Sequence, residues 1–154
     1  MSADSQPISA RPAASVGAVN SSLAGSGPIA FVGRLFFVLI FLMSGPHHFM
    51  SQTIAYAASQ GVPMASIVVP ISGALALLGA LSILLGYRAK IGAWLIVLFL
   101  LGITPMMHKF WTVTDPMMYQ IQFIMFMKNL SMLGAALFIS QMGSGPWSLD
   151  RRGK

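Results

Sequence analysis

Polar breaks divide this chain into four long apolar runs. They extend from about Ile29 to Phe49, Ser66 to Gly86, Ala89 to Met107 and Met117 to Met142, and each approaches the roughly 20 residues a helix needs to cross a bilayer. Ahead of them, residues 1–28 are rich in Ser, Ala, Gly and Pro and lack hydrophobic periodicity, so a disordered tail is expected there. The first run carries Arg34 and outlasts the apolar stretch of a signal peptide, so it reads as a first transmembrane helix. Between the first two runs, Ser51 is placed to cap a short helix that Gly61 ends, with Pro63 just beyond. Ile54, Tyr56 and Ala58 would rest that helix in the membrane interface as an outer lid.

The link at Tyr87 and Arg88 is short enough to make the second and third spans antiparallel neighbours. Ser72, Ala76 and Ala80 recur every fourth residue on the second span, a small-residue face that permits close helix approach. Pro46, Pro70 and Pro105 fall near span ends, where a lost helix hydrogen bond is most easily replaced. With four spans, both termini lie on one side of the membrane. Arg11, Arg34, Arg88, Lys90, Arg151, Arg152 and Lys154 fall on that side and Lys109 alone on the other, so cytoplasmic termini are expected. Tyr87, Trp94 and Trp147 then form an inner aromatic belt, and Tyr56, Trp111 and Tyr119 an outer one.

Composition sharpens this picture by exclusion. Hydrophobic residues make up 56% of the 154 and charged residues 8%, far from the balance of a water-soluble domain. There is no Cys, which removes disulfides, thiolate metal sites and cysteine redox chemistry. Nine Lys and Arg face three acids; in a membrane protein that excess reports topology and lipid contact, and nucleic acid is a poor reading of it. The three acids all lie outside the spans, and no nucleophile, base and orienting group occur together. An autonomous hydrolase is therefore not expected.

Lys128 is the residue that most demands a partner. It lies roughly 16 Å from the start of the fourth run at 1.5 Å per residue, about half the hydrocarbon thickness, where a cation is costly. Asn129 is beside it and Gln122 one heptad before Asn129, the most polar stretch in any span. One reading turns Lys128 into the bundle, to bind a small anion, a quinone oxygen, a lipid phosphate or a carboxylate from another subunit. The other makes it structural, bonded to helix carbonyls and Asn129 or held neutral. Arg34, roughly 7 Å from the end of its helix, either snorkels to headgroups or turns inward to share a counter-anion with Lys128.

A second cluster gathers in the outer leaflet. His47, His48 and Met50 end the first span, Met106, Met107 and His108 end the third, and Met117 and Met118 begin the fourth. Imidazole and thioether ligands suit Cu(I), so a copper or haem site using His47, His48 and His108 is one candidate, against Met as core filler and His meeting water. His108, Phe110 and Trp111 also form an outer loop with Lys109, and Asp115 followed by Pro116 is placed to cap the fourth helix.

Gly33-Arg34, Ser44-Gly45, the Gly61-Val62-Pro63 turn, the glycine-rich second span, His108-Lys109-Phe110-Trp111, Lys128-Asn129-Leu130 and the closing Gly145-Pro146-Trp147-Ser148-Leu149-Asp150 together resemble the DoxX family. The resemblance runs from about Gly33 to Asp150. It implies a four-helix bacterial membrane protein. Some relatives are linked to sulfur oxidation as the membrane subunit of a thiosulfate:quinone oxidoreductase, or to oxidative-stress complexes. Where relatives often carry Lys after the Ser-Gly pair, this chain has Pro46-His47-His48. The Arg, the His-x-Phe-Trp pattern and the Lys-Asn pair carry over onto Arg34, His108, Phe110, Trp111, Lys128 and Asn129.

The expected architecture is all-α: an integral membrane four-helix antiparallel bundle over residues 29–142, with a short interfacial helix between helices one and two. A disordered tail precedes it and a short basic cytoplasmic tail, residues 143–154, follows. The expected role is a small non-catalytic accessory or anchor subunit of a redox or energy-transducing complex in a bacterial inner membrane, contacting lipid and other membrane subunits. The alternatives are a quinone-, lipid- or small-anion-binding protein using Lys128 and Arg34, with Asn129, Gln122, His108 and Trp111 near the ligand or partner, and the outer copper or haem site.

Overall fold

The computed structural model describes residues 26–152, with the Arg152 side chain left out; the expected N-terminal tail lies almost wholly outside the described residues. Four helices carry the fold: α1 (Gly27–Ser44), α3 (Ala65–Leu85), α4 (Ala89–Met107) and α5 (Pro116–Met142). A 3-10 turn, Gly45–Phe49, extends α1, and the short α2 (Ser51–Ser59) follows. A second 3-10 turn, Phe110–Thr112, precedes α5, and α6 (Leu149–Arg152) closes the described chain. Four segments are long and apolar enough to span a membrane, as the sequence pattern predicts. The chain is thus an all-helical, four-span membrane protein with a short helix between the first two spans.

Contacts run in the order α1, α3, α4, α5, with α3 against α4 and α4 against α5 the most extensive. Small residues make this possible, because helices in lipid gain little from hydrophobicity and associate mainly by close van der Waals contact. A methyl group built on Gly79 of α3 would stand 2.8 Å from the Gly92 carbonyl oxygen of α4, so the two backbones nearly touch. Ala76 and Ala80, from the small-residue stripe, are fully buried beside them. The core gathers Val38 and Phe41 of α1, Ile83 of α3, Ile96, Val97, Phe99 and Leu100 of α4, and Ala136 of α5. Phe41 meets Phe99 edge-on at 6.0 Å between ring centroids, a favoured aromatic geometry.

The helix ends are set by local chemistry. Asp115 accepts from the Met118 backbone N–H at 2.8 Å and Pro116 occupies the first turn, so α5 starts as its sequence predicts. Ser51 does not cap α2. It is already helical, and Met50, in extended conformation, occupies the cap position with no side-chain bond. At the far end of α2 the Lys109 ammonium donates to the Gln60 carbonyl at 2.9 Å, which satisfies a helix-terminal acceptor from across the fold.

Candidate functional site

Lys128 and Asn129 are adjacent in sequence but face different surroundings. Successive helical residues turn by about 100°, and here that turn puts Asn129 inside, 7% exposed, while Lys128 lies on the exposed face of α5. The inward-facing lysine is therefore corrected: its Nζ approaches Met125 Sδ at 3.1 Å on its own helix, and no acid occurs in any span. A thioether is a weak acceptor and leaves the ammonium charge uncompensated. Asn129 does not bond to it either.

The face around Lys128 is unusual for a surface meant only for lipid. Of the 27 residues of α5, Asn129, Ala136 and Ser140 are buried. Ile124, Lys128, Ser131 and Ala135 follow one another along the exposed side. Gly134 lies beside them, with open space where a side chain would be. A mid-span cation bordered by outward-facing small residues matches the surface that helix–helix docking uses.

Gln122 and His108 meet. His108 Nδ1 and Gln122 Oε1 are 2.9 Å apart, with the ring N–H donating, which ties the end of α4 to α5. Trp111 is exposed, and it stacks edge-on against Phe110 and Phe126 at 5.1 and 6.0 Å. Phe110 is the hub of that cluster, also edge-on to Tyr119, Phe123 and Phe126. The loop is pinned to the first turns of α5 by aromatic contacts, each contributing about 0.5–1.5 kcal/mol beyond area burial.

Arg34 goes elsewhere. It is 5% exposed, and its Nη2 donates to the Trp147 carbonyl at 2.5 Å while Nε reaches Ala30 O at 3.4 Å. Nη1 is buried with no partner among the described residues. Gly86 and Ser148 surround it. Arg34 and Lys128 are therefore not brought to one ligand, because α1 and α5 have no extended contact and the two side chains face different surroundings.

Sequence reasoning missed what holds Arg34 in place. Residues 143–152 fold back over the end of the bundle that bears the termini. The Asp150 carboxylate accepts from the N–H groups of Arg88 at 2.8 Å and Ala89 at 3.3 Å, and the Asp150 N–H donates to Gly86 O at 2.9 Å. One residue thus closes both the end of α3 and the start of α4. The available signal was negative: Arg88 precedes α4 without any side chain able to accept from its first N–H groups, so a distant acid had to.

The three candidate metal-binding histidines diverge. His47 is exposed and its Nδ1 bonds to Met43 O at 3.0 Å; His48 is buried and its Nδ1 bonds to Ser44 O at 3.1 Å. Among the described residues no three His, Asp or Glu side chains gather into a metal-binding group. His48 instead lines a cavity of about 260 Å³ between α2, α3 and α4.

Comparison with known proteins gives two matches. A family described as DoxX matches residues 29–109. The chain is 32% identical over 126 residues to inner membrane protein YphA of Escherichia coli (strain K12), covering 80% of this chain and 89% of that protein. No solved structure matches.

Proposed function

The chain belongs to the DoxX family, as a multi-pass inner-membrane protein, and on that premise we propose that it serves as a small non-catalytic subunit that docks on, or anchors, a membrane redox or energy-transducing complex. The observation that carries this reading is Lys128, exposed at the middle of α5 with no acid in any span. A lone ammonium facing hydrocarbon costs several kcal/mol even on mild scales. A neighbouring helix with a carboxylate at the same depth removes that cost, and Ser131, Gly134 and Ala135 would let its backbone come close. A second copy of this chain does not fit, because it would set lysine against lysine with nothing acidic at that depth. The redox setting comes from the family resemblance.

The termini are proposed to be cytoplasmic. Arg34, Arg88, Lys90 and Arg151 collect at one end of the bundle and Lys109 at the other, as the positive-inside bias requires. Because the chain has no Cys, single cysteines at Thr112 and Arg151 read sidedness without background. An impermeant thiol reagent applied to intact spheroplasts should label Thr112→Cys and spare Arg151→Cys.

The subunit reading is tested by affinity purification in mild detergent followed by native mass spectrometry. A stoichiometric companion with an acidic residue in a span is expected, lost in Lys128→Met and retained in Lys128→Arg. Recovery of the wild-type protein alone and monodisperse would overturn the proposal.

A further inference from the structure

The cavity beside His48 has no part in the docking face and stands at the opposite side of α4. Its lining is almost wholly apolar, with Val68, Ile71 and Leu75 of α3 facing Leu98, Phe99 and Gly102 of α4. No charged side chain contributes. Ala57 and Thr53 of α2 border it, so the interfacial helix covers one end. Val68, Ile71, Leu98 and Gly102 are exposed, so the mouth opens on the apolar belt between α3 and α4.

His48 gives this pocket one polar instruction. The ring is 8% exposed and fixed on two sides. It stands edge-on to Phe99 at 5.6 Å, and it packs so close to Gly73 that a methyl group there would lie 2.5 Å from the His48 Cβ. Its Nδ1 is bonded to the Ser44 carbonyl, which can only accept, so Nδ1 carries the hydrogen. In the neutral imidazole, Nε2 is then an acceptor. No hydrogen bond reaches Nε2 among the described residues. Ser72, the next polar group in the lining, gives its hydroxyl proton to Val69 O at 2.7 Å and so also faces the cavity as an acceptor. Thr53 has a hydroxyl that serves as either partner.

We infer that this cavity binds a compact, uncharged apolar molecule bearing one hydroxyl, which donates to His48 Nε2. No charged lining residue is present to compensate an ion, and two acceptors, His48 Nε2 and Ser72 Oγ, beside one hydroxyl of either role at Thr53 favour a ligand that donates over a ketone or ether. The size fits one substituted ring: an apolar cavity of about 150 Å³ suffices for benzene, and this one is about 260 Å³. Access through the lipid-facing mouth suits a ligand that partitions into the bilayer before it binds.

The test uses the full chain in lipid nanodiscs and two probes, 4-propylphenol and its methyl ether 4-propylanisole, measured by equilibrium dialysis against empty nanodiscs. The phenol should bind saturably at one site per chain, and the ether about tenfold more weakly, the value of one hydrogen bond of about 1.4 kcal/mol. His48→Phe should bring the two probes level. Gly102→Leu should abolish saturable binding of both. Its new side chain enters open space with nothing within 4 Å of the Cβ, and the change favours helix, so unfolding does not confound it. Absence of saturable phenol binding, equal binding of phenol and ether by the wild-type protein, or undiminished binding by Gly102→Leu would each overturn the inference.

Discussion

Arg34 and Lys128 are both cations within apolar spans, yet the fold treats them in opposite ways. Arg34 is drawn into the closed end of the bundle, where the Trp147 carbonyl accepts from it and Gly86 leaves room for its guanidinium. Lys128 is left on the outside of α5, with a thioether of its own helix as its hydrogen-bond acceptor. The difference lies in what surrounds them. The closed end supplies a backbone carbonyl from a folded-back segment, whereas α5 offers Lys128 only the weak thioether acceptor of Met125. A cation that the fold uses is enclosed by that fold. The one left bare at mid-span faces outward.

Substitutions can break this contrast. The largest effect is expected for Gly86→Val. Gly86 has φ +64°, a left-handed conformation that L side chains rarely adopt, and a side chain there would run into Arg34 and Ser148. The combined strain and overpacking should cost about 3 kcal/mol or more, read as a large fall in unfolding temperature in detergent. Arg34→Leu comes next. It removes a charged hydrogen bond to Trp147 O, with an expected loss of about 1.5–3 kcal/mol. It should also loosen residues 143–152, seen as faster tryptic cleavage after Arg151.

Asp150→Ala leaves the Arg88 and Ala89 N–H groups without their acceptor. A lost helix cap is worth about 0.5–2 kcal/mol, and hydrogen exchange should quicken at the start of α4 more than elsewhere. Lys128→Met should be the smallest in stability, within about 0.5 kcal/mol of the wild-type protein, or slightly stabilising. It sharpens the comparison because the change that matters least to the fold is the one expected to abolish co-purification with a partner. An unfolding midpoint that falls further for Lys128→Met than for Arg34→Leu would reverse the assignment of the two cations.

Several features were legible along the chain. The span limits agree to within a few residues for all four runs, because run length and hydropathy bound a helix in a bilayer. For the first, α-helix gives way to a 3-10 turn after Ser44. The Tyr87–Arg88 link sets α3 against α4, since so few residues cannot cross the bundle. Asp115 with Pro116 announced the start of α5 through contacts three residues apart. Ser51 misled: a hydroxyl before an apolar stretch resembles a cap, but the chain turned helical at that residue and left it inside. The partner of Arg34 was out of reach, since Trp147 lies 113 residues away and contributes only its carbonyl, which every residue has. His48 and the cavity it lines were equally hidden, because three helices meet to form that space.

The sequence by itself determined that this is a four-span, all-helical membrane protein of the DoxX family, because crossing lipid requires long apolar helices whose backbone groups bond internally. It did not determine which face of each helix turns inward. In water the hydrophobic effect writes that choice into an apolar stripe, but in spans apolar on most faces the stripe carries little information. The choice was made by close packing at Gly79 and Gly92, by the hydrogen bonds of the folded-back Asp150 segment, and by the aromatic cluster around Phe110. Only those tertiary contacts placed Asn129 inside, Arg34 at the closed end, and Lys128 facing out.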